Sequence, residues 1–298
     1  MHGSMKKIVV MIALLCAAAG TAWAAQAVNE SYPVASNAEV DVENLAGSLV
    51  FEGWDRDEVE VTGTLGDGVE RLDVENDEEG LYIEVVFDED YHGKQVNSTD
   101  LTIRLPIGAS LSVETVSSSI SVAGINGDVD LESVSGFILV TGWPVSMDVE
   151  TVSGKIDLES APAGTDVASV SGLIKIGSAA GDLDAENVSG DIMIGGGALD
   201  GADLETVSGN ITCKAMPTGA GDIDMETMSG TLTLTVDEGM VAYYEISTFS
   251  GTIVNKIGPA PQRTSKYTPG QELSFNTGSG GPQISLTSFS GTVKLLTN

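Results

Sequence analysis

The chain has 298 residues, with 44 Asp plus Glu against 13 Lys plus Arg, a formal net charge of −31 and 36 glycines. A surface this negative repels phosphate backbones and gives no polybasic attraction to anionic lipid, which argues against nucleic-acid binding and electrostatic docking on membranes. Abundant Gly, Val, Thr and Ser favour short strands and tight turns over helices.

Residues 1–24 read as a short extension, Met1 to Ser4, followed by an export signal. Met5-Lys6-Lys7 precedes an apolar run from Ile8 to Ala19, and Ala22-Trp23-Ala24 supplies a small-x-small cleavage pattern. The run is short for a membrane span, and no later segment is apolar enough to replace it. Cleavage after Ala24 removes Cys16 and leaves Cys213 as the only thiol, so no internal disulfide is expected. The mature chain is expected in the periplasm or secreted to the cell surface.

Residues 25–110 carry strand patterns at Val40 to Phe51, Val59 to Leu65, Leu81 to Phe87 and Leu101 to Leu105, broken by acidic turns. Within the first lies Leu45-Ala46-Gly47, an outlying copy of a repeat that dominates the rest of the chain. This part is expected to form a first coil and then hairpins that cap a stack, since exposed solenoid ends invite edge pairing.

From residue 111 to 298 the repeat governs. Val116-Ser117-Ser118, Val134-Ser135-Gly136, Val152-Ser153-Gly154, Val170-Ser171-Gly172 and Val188-Ser189-Gly190 recur at 18-residue steps. Val207-Ser208-Gly209, Met228-Ser229-Gly230 and Phe249-Ser250-Gly251 follow at steps of 19, 21 and 21. After an excursion at 255–283, Phe289-Ser290-Gly291 belongs to a last coil and cap. Residues alternate with a period of two on each side of the tripeptide, as in Asp148-Val149-Glu150-Thr151 before it and Ile156 and Leu158 after it, the mark of a strand with unlike faces. Glycine suits the corner because it adopts positive φ without a Cβ clash. Like residues recurring in one sense at one-coil spacing stack when successive coils run parallel, and parallel crossovers are right-handed. The predicted fold is all-β: a right-handed parallel β-helix (solenoid) with coils of about 18–21 residues, capped by N-terminal hairpins. The eight copies from Val116 to Gly251 make a rod about 38 Å long at ~4.8 Å per coil.

Stacking assigns each position to a row. Ile, Leu and Val form the core, with Cys213 filling one slot. Ser133, Thr151, Ser169, Asn187, Thr206 and Thr227 are expected to form a hydrogen-bonded ladder beside the corner. Asp130, Asp148, Asp166, Asp184, Asp203 and Asp224 make one acidic row; Glu132, Glu150, Glu186, Glu205 and Glu226 make the next. Neighbours ~4.8 Å apart repel by about 0.9 kcal/mol even in bulk-like water. The rows are therefore read first as a solvated face. Asp130, Glu132, Asp148, Glu150, Asp184, Glu186, Asp203, Glu205, Asp224 and Glu226 are the candidates for binding a divalent cation.

Leu101-Thr102-Ile103-Arg104-Leu105-Pro106, then Leu111-Ser112-Val113-Glu114-Thr115-Val116-Ser117 and serial Val-Ser-Gly coils, resemble the putative-adhesin family of bacterial exported β-helix proteins, a family of unknown function. Asn276-Thr277-Gly278-Ser279-Gly280 and Ser288-Phe289-Ser290-Gly291 fit it too, and Ser118 departs from it where later coils carry Gly. The resemblance implies an envelope or exported protein and transfers no catalytic residues.

No catalytic constellation or cofactor is read from the chain. After signal removal His92, in an acidic stretch, is the only histidine, and one His with one Cys gives neither a triad nor a zinc set. Paired carboxylates of a polysaccharide-active β-helix enzyme are the enzymatic alternative, but 44 acids make some pair inevitable. Trp143, Tyr243 and Tyr244 are read as covering turns or a coil end rather than stacking on sugars. The expected role is a non-catalytic envelope surface for a glycan or protein partner, with a calcium-stabilised module as the alternative.

Overall fold

The computed structural model describes residues 26–77, 80–88, 98–214, 216–219, 221–267 and 269–298. The segment expected to be an export signal, with Cys16, and His92 lie outside the described residues. Every described element is a strand, and all belong to one sheet. The N-terminal strands are β1 (Gln26–Pro33), β2 (Glu39–Trp54), β3 (Glu58–Leu65), β4 (Val69–Asn76), β5 (Gly80–Phe87) and β6 (Thr99–Pro106). The repeats give β7 (Ser110–Ala123), β8 (Val129–Thr141), β9 (Met147–Ala161), β10 (Thr165–Ser189), β11 (Ile192–Ile194), β12 (Gly197–Ser208), β13 (Ile211–Cys213), β14 (Met216–Pro217) and β15 (Ile223–Val236). The chain closes with β16 (Tyr243–Thr248), β17 (Thr252–Asn255), β18 (Gln262–Arg263), β19 (Gln271–Asn276) and β20 (Gln283–Thr297).

The repeats pair in parallel and in the register of the sequence motif. Val149 lies opposite Leu131 and Val167, and Ser153 opposite Ser135 and Ser171, each 18 residues away. The core follows from that register. Ile120, Ile138, Ile156, Ile174, Ile192, Ile211, Leu232 and Val293 form one continuous row, all buried. In the next row Cys213 fills the slot between Ile194 and Leu234. Each such row removes one aliphatic side chain per level from water, worth about 1.5–3 kcal/mol apiece.

The ends of the stack are threaded differently from the chain order. The first copy of the repeat, on β2, lies between β7 on one side and the β5–β6 level on the other. At the far end β20 lies between β15 and the β16–β17 level. Residues Ile284 to Leu296 are therefore the penultimate level and not the last coil expected from chain order. A terminal strand placed inside the stack has both edges paired, whereas at the end one edge would be left open to other chains. Antiparallel strands then cover both ends: β4 on β5, β3 on β6 and β1 on β3, with β19 on β16 and β18 on β19. At the start of β19 the Gln271 side chain covers part of β17, its Oε1 accepting the Ile253 N–H at 2.7 Å. Tyr244 is buried under this cap and stacks on Phe275 at 4.9 Å, while Trp143 stands exposed in its turn.

The corner glycines have a second reason to be glycine besides φ. A Cβ on Gly172 would lie 1.7 Å from the Gly154 carbonyl oxygen, at a φ of +151°. The row at Gly136, Gly154, Gly172, Gly190, Gly209 and Gly230 repeats this contact level after level. Backbone approach across levels, more than local turning, keeps side chains out of this row.

Candidate functional site

On the first arm of each coil the chain reads acid, apolar, acid, hydroxyl, apolar, as in Asp148-Val149-Glu150-Thr151-Val152. With side chains alternating, Val149 and Thr151 turn inward while Glu150 and Val152 both face solvent. Stacking converts this local pattern into three long features. A glutamate column runs through Glu84, Glu43, Glu114, Glu132 and Glu150, is interrupted by Ala168, and resumes at Glu186, Glu205 and Glu226. Beside it runs an apolar row: Leu45, Val116, Val134, Val152, Val170, Val188, Val207, Met228, Phe289 and Phe249. From Val116 to Val207 its members are 46–49% exposed, a steady exposure that marks one continuous ledge and not isolated surface residues. Between the two runs the hydroxyl row. Together they make a groove of about 1250 Å³ along the stack.

The hydroxyl floor is only partly a ladder. Thr115 Oγ1 donates to Ser133 Oγ at 3.0 Å, and Ser133 Oγ contacts the Ser135 carbonyl at 3.2 Å. Asn187 Nδ2 donates to the Gly172 carbonyl at 2.9 Å, and Asn44 Nδ2 to Ser118 Oγ at 3.1 Å. The hydroxyls of Thr151, Ser169, Thr227 and Ser288 are buried with no partner among the described residues. The expected continuous ladder fails for a geometric reason. Levels are ~4.8 Å apart, whereas a hydroxyl–hydroxyl bond needs about 2.7–2.8 Å, so bonding requires neighbouring rotamers to converge.

The acids proposed from sequence do stack as columns: Asp130 with Asp148, Glu132 with Glu150, Asp184 with Asp203 and then Asp224, Glu186 with Glu205 and then Glu226. Each column offers one carboxylate per level. Among the described residues, no group of three or more acids, His or Cys is placed to hold one metal ion together. Nor does any described ion pair reach the two columns. Lys155 and Lys175 instead hold Asp157 on the second arm at 2.6 and 3.1 Å, and Arg104 bridges Glu52 and Glu60.

Crowding leaves its mark on proton affinity. Burial first, then neighbouring carboxylates, pushes Glu132, Asp148, Asp184, Asp203, Glu205 and Asp41 above the ordinary carboxylate range. For Asp157 burial acts upward too, but hydrogen bonds from Lys155 and Lys175 outweigh it and the net shift is down. A group whose folded pKa is raised binds protons more readily folded than unfolded. Its stabilising contribution is complete below about pH 4, the unfolded value, and is lost as pH rises through the folded one. The thermal midpoint is therefore expected to climb as pH falls from neutral toward about 4, with a shallower slope in about 1 M salt. A midpoint that falls over that interval would contradict the mutual repulsion.

The exposed apolar row is the feature that sequence reading passed over. The tripeptide served there as a marker of register, yet the alternation already placed its first residue two positions beyond a glutamate, on the same outward face. At one end the row becomes aromatic: Phe249 and Phe289 stack at 4.7 Å with rings 8° from parallel. There the acid column has given way to Thr287 and Ser247.

Residues 38–296 match the family model described as Toastrack DUF4097. Among solved structures, a putative adhesin from Bacteroides fragilis is 12% identical, with 92% of this chain and 97% of that chain covered and a TM-score of 0.41. A putative adhesin from Parabacteroides distasonis is 15% identical, with 91% and 98% covered and a TM-score of 0.37. A putative cell adhesion protein from Clostridium sporogenes is 8% identical, with 92% and 100% covered and a TM-score of 0.25. No functionally curated protein matches the chain.

Proposed function

Because the chain belongs to the Toastrack DUF4097 family, whose function is unknown, we propose that it is a non-catalytic, exported envelope protein with an adhesin-like binding role. Its right-handed β-helix, wound as parallel crossovers nearly always are, presents the long groove to a partner. The observation that carries this reading is the uninterrupted apolar row left in water beside acids that no described cation neutralises. A purely structural rod would gain solubility by placing polar residues at those positions, so a solvent-facing stripe of this length supports a binding face. The N-terminal signal pattern supports a periplasmic or surface location.

The double variant Val152→Ser/Val170→Ser tests this. On arrays of envelope glycans and proteins it is expected to bind its partner at least about tenfold more weakly than the native chain. The melting midpoint should stay unchanged, because both side chains are half exposed. Unchanged binding would remove the groove from the proposal. Cleavage of a polysaccharide, lost on changing a single carboxylate, would replace binding with catalysis.

A further inference from the structure

We propose that the groove takes an extended basic polypeptide, with lysine or arginine side chains along the glutamate column and alternate apolar side chains along the valine row. This inference rests on reading the groove as the binding surface.

Width selects the conformation. The two walls are residues i and i+2 of one strand, so they stand about 7 Å apart along it. A ligand lying along the groove reaches both rows when it is extended, because its successive side chains then point to opposite sides. The floor selects the mode of recognition. Its backbone is already committed to the parallel pairing of successive levels, so a ligand cannot add as a further strand and must be read through side chains. Buried, unpartnered hydroxyls of Thr151, Ser169 and Thr227 lie along the same floor, giving polar atoms that nothing described satisfies.

Charge selects the ligand. Glu132 and Glu205 are held above the ordinary range by burial and by their acidic neighbours, a penalty that an incoming cation relieves. A second copy of this chain laid on the groove would bring glutamate against glutamate, and an anionic partner would meet the same repulsion. An extended peptide presents successive side chains on opposite sides, matching one acidic and one apolar wall. The apolar row spans about 43 Å at ~4.8 Å per level, the reach of about 13 extended residues. Long basic side chains absorb the mismatch between that spacing and the two-residue repeat of the ligand. The levels where Thr287 and Ser247 replace glutamate, beside the Phe249–Phe289 stack, give the groove a direction, favouring an apolar or aromatic residue at one end of the ligand.

The probe is a labelled peptide of about 14 residues alternating Lys and Val, followed by anisotropy on the full chain. It is expected to bind at least about tenfold more tightly than oligolysine, or than the same composition arranged as a Lys block and a Val block. Val152→Ser/Val170→Ser and Glu150→Gln/Glu186→Gln should each weaken it about tenfold, whereas Asp130→Asn/Asp148→Asn, on the outer acidic column, should change it less than about twofold. Equal binding of oligolysine, or equal loss from the aspartate variant, would show diffuse charge attraction only and overturn the proposal. Tighter binding of a chitosan oligomer than of the alternating peptide would overturn the ligand class. If the peptide does not bind but Val152→Ser/Val170→Ser still abolishes capture of an array ligand, the peptide is wrong and the groove reading stands. Failure of both removes both.

Discussion

Deleting residues 283–298 is expected to leave a chain that no longer unfolds cooperatively, although only the last 16 residues are lost. In a regular solenoid the final strand is an edge, and its loss shortens the rod by one level. Here β20 is intercalated. It pairs along its length with β15 and on its other side with β16 and β17, so its removal leaves a one-level gap in the stack. Ile284, Leu286, Val293 and Leu295 go with it, all fully buried. At about 2–5 kcal/mol for each large aliphatic side chain lost from a core, the sum reaches or exceeds the ~5–15 kcal/mol that holds a typical domain together. Circular dichroism during heating and size-exclusion chromatography provide the check. A truncated chain with a sharp transition within about 5 °C of the native one would mean that β20 is a dispensable end strand.

Gly172→Ala is expected to be severely destabilising although it adds a single carbon. The new methyl carbon would meet the Gly154 carbonyl oxygen at 1.7 Å, and a φ of +151° is already unfavourable for any residue with a Cβ. Every atom met within 3.3 Å is backbone of Gly154, so no flexible side chain can move aside. Relief requires prying two levels apart in the middle of the stack, which places the penalty at about 3 kcal/mol or more, the range of severe single substitutions. Gly196→Ala is the matched control. A Cβ there meets nothing within 4 Å and its φ lies outside the glycine region. It should be neutral, or stabilising by up to about 1 kcal/mol through the unfolded chain. Equal midpoints for the two variants in urea titration would show that the rows of corner glycines do not touch.

The repeating core was legible because spacing and alternation carry the same information. The 18-residue steps set which residues lie opposite one another, and the isoleucines after the tripeptide all proved inward. The core role of Cys213 could be read for the same reason, and capping strands at the N-terminal end from their own alternation, whereas the cover of β18 and β19 could not, the expected C-terminal cap having fallen on Ile284 to Leu296. Strand order at the ends could not, because a repeat states which positions match and not which level lies above which. Only a pairing pattern could place β2 and β20 inside the stack. The hydroxyl ladder was overdrawn, since composition tells which groups are buried but not whether rotamers on neighbouring levels converge. At the candidate site half of the arrangement was visible. The acidic rows were assigned by residue, while the valines that form the opposite wall were treated as punctuation. Glu150 and Val152 lie on one face of one strand, so the groove was implicit in the alternation once the valine was given a direction.

The first residue of each tripeptide stands in solvent directly over its counterpart one level away. Paired cysteines test it, with the product read as intramolecular disulfide by mass spectrometry after mild oxidation. Val152→Cys with Val170→Cys places the two residues on adjacent levels, about 4.8 Å apart and within the usual Cα range of a disulfide. This pair should close rapidly within one molecule, while Val152→Cys with Val188→Cys, two levels or about 9.6 Å apart, should remain as free and readily alkylated thiols. Closure of the distant pair, or thiols at 152 and 170 that resist both oxidation and alkylation, would contradict the stacked, solvent-facing row.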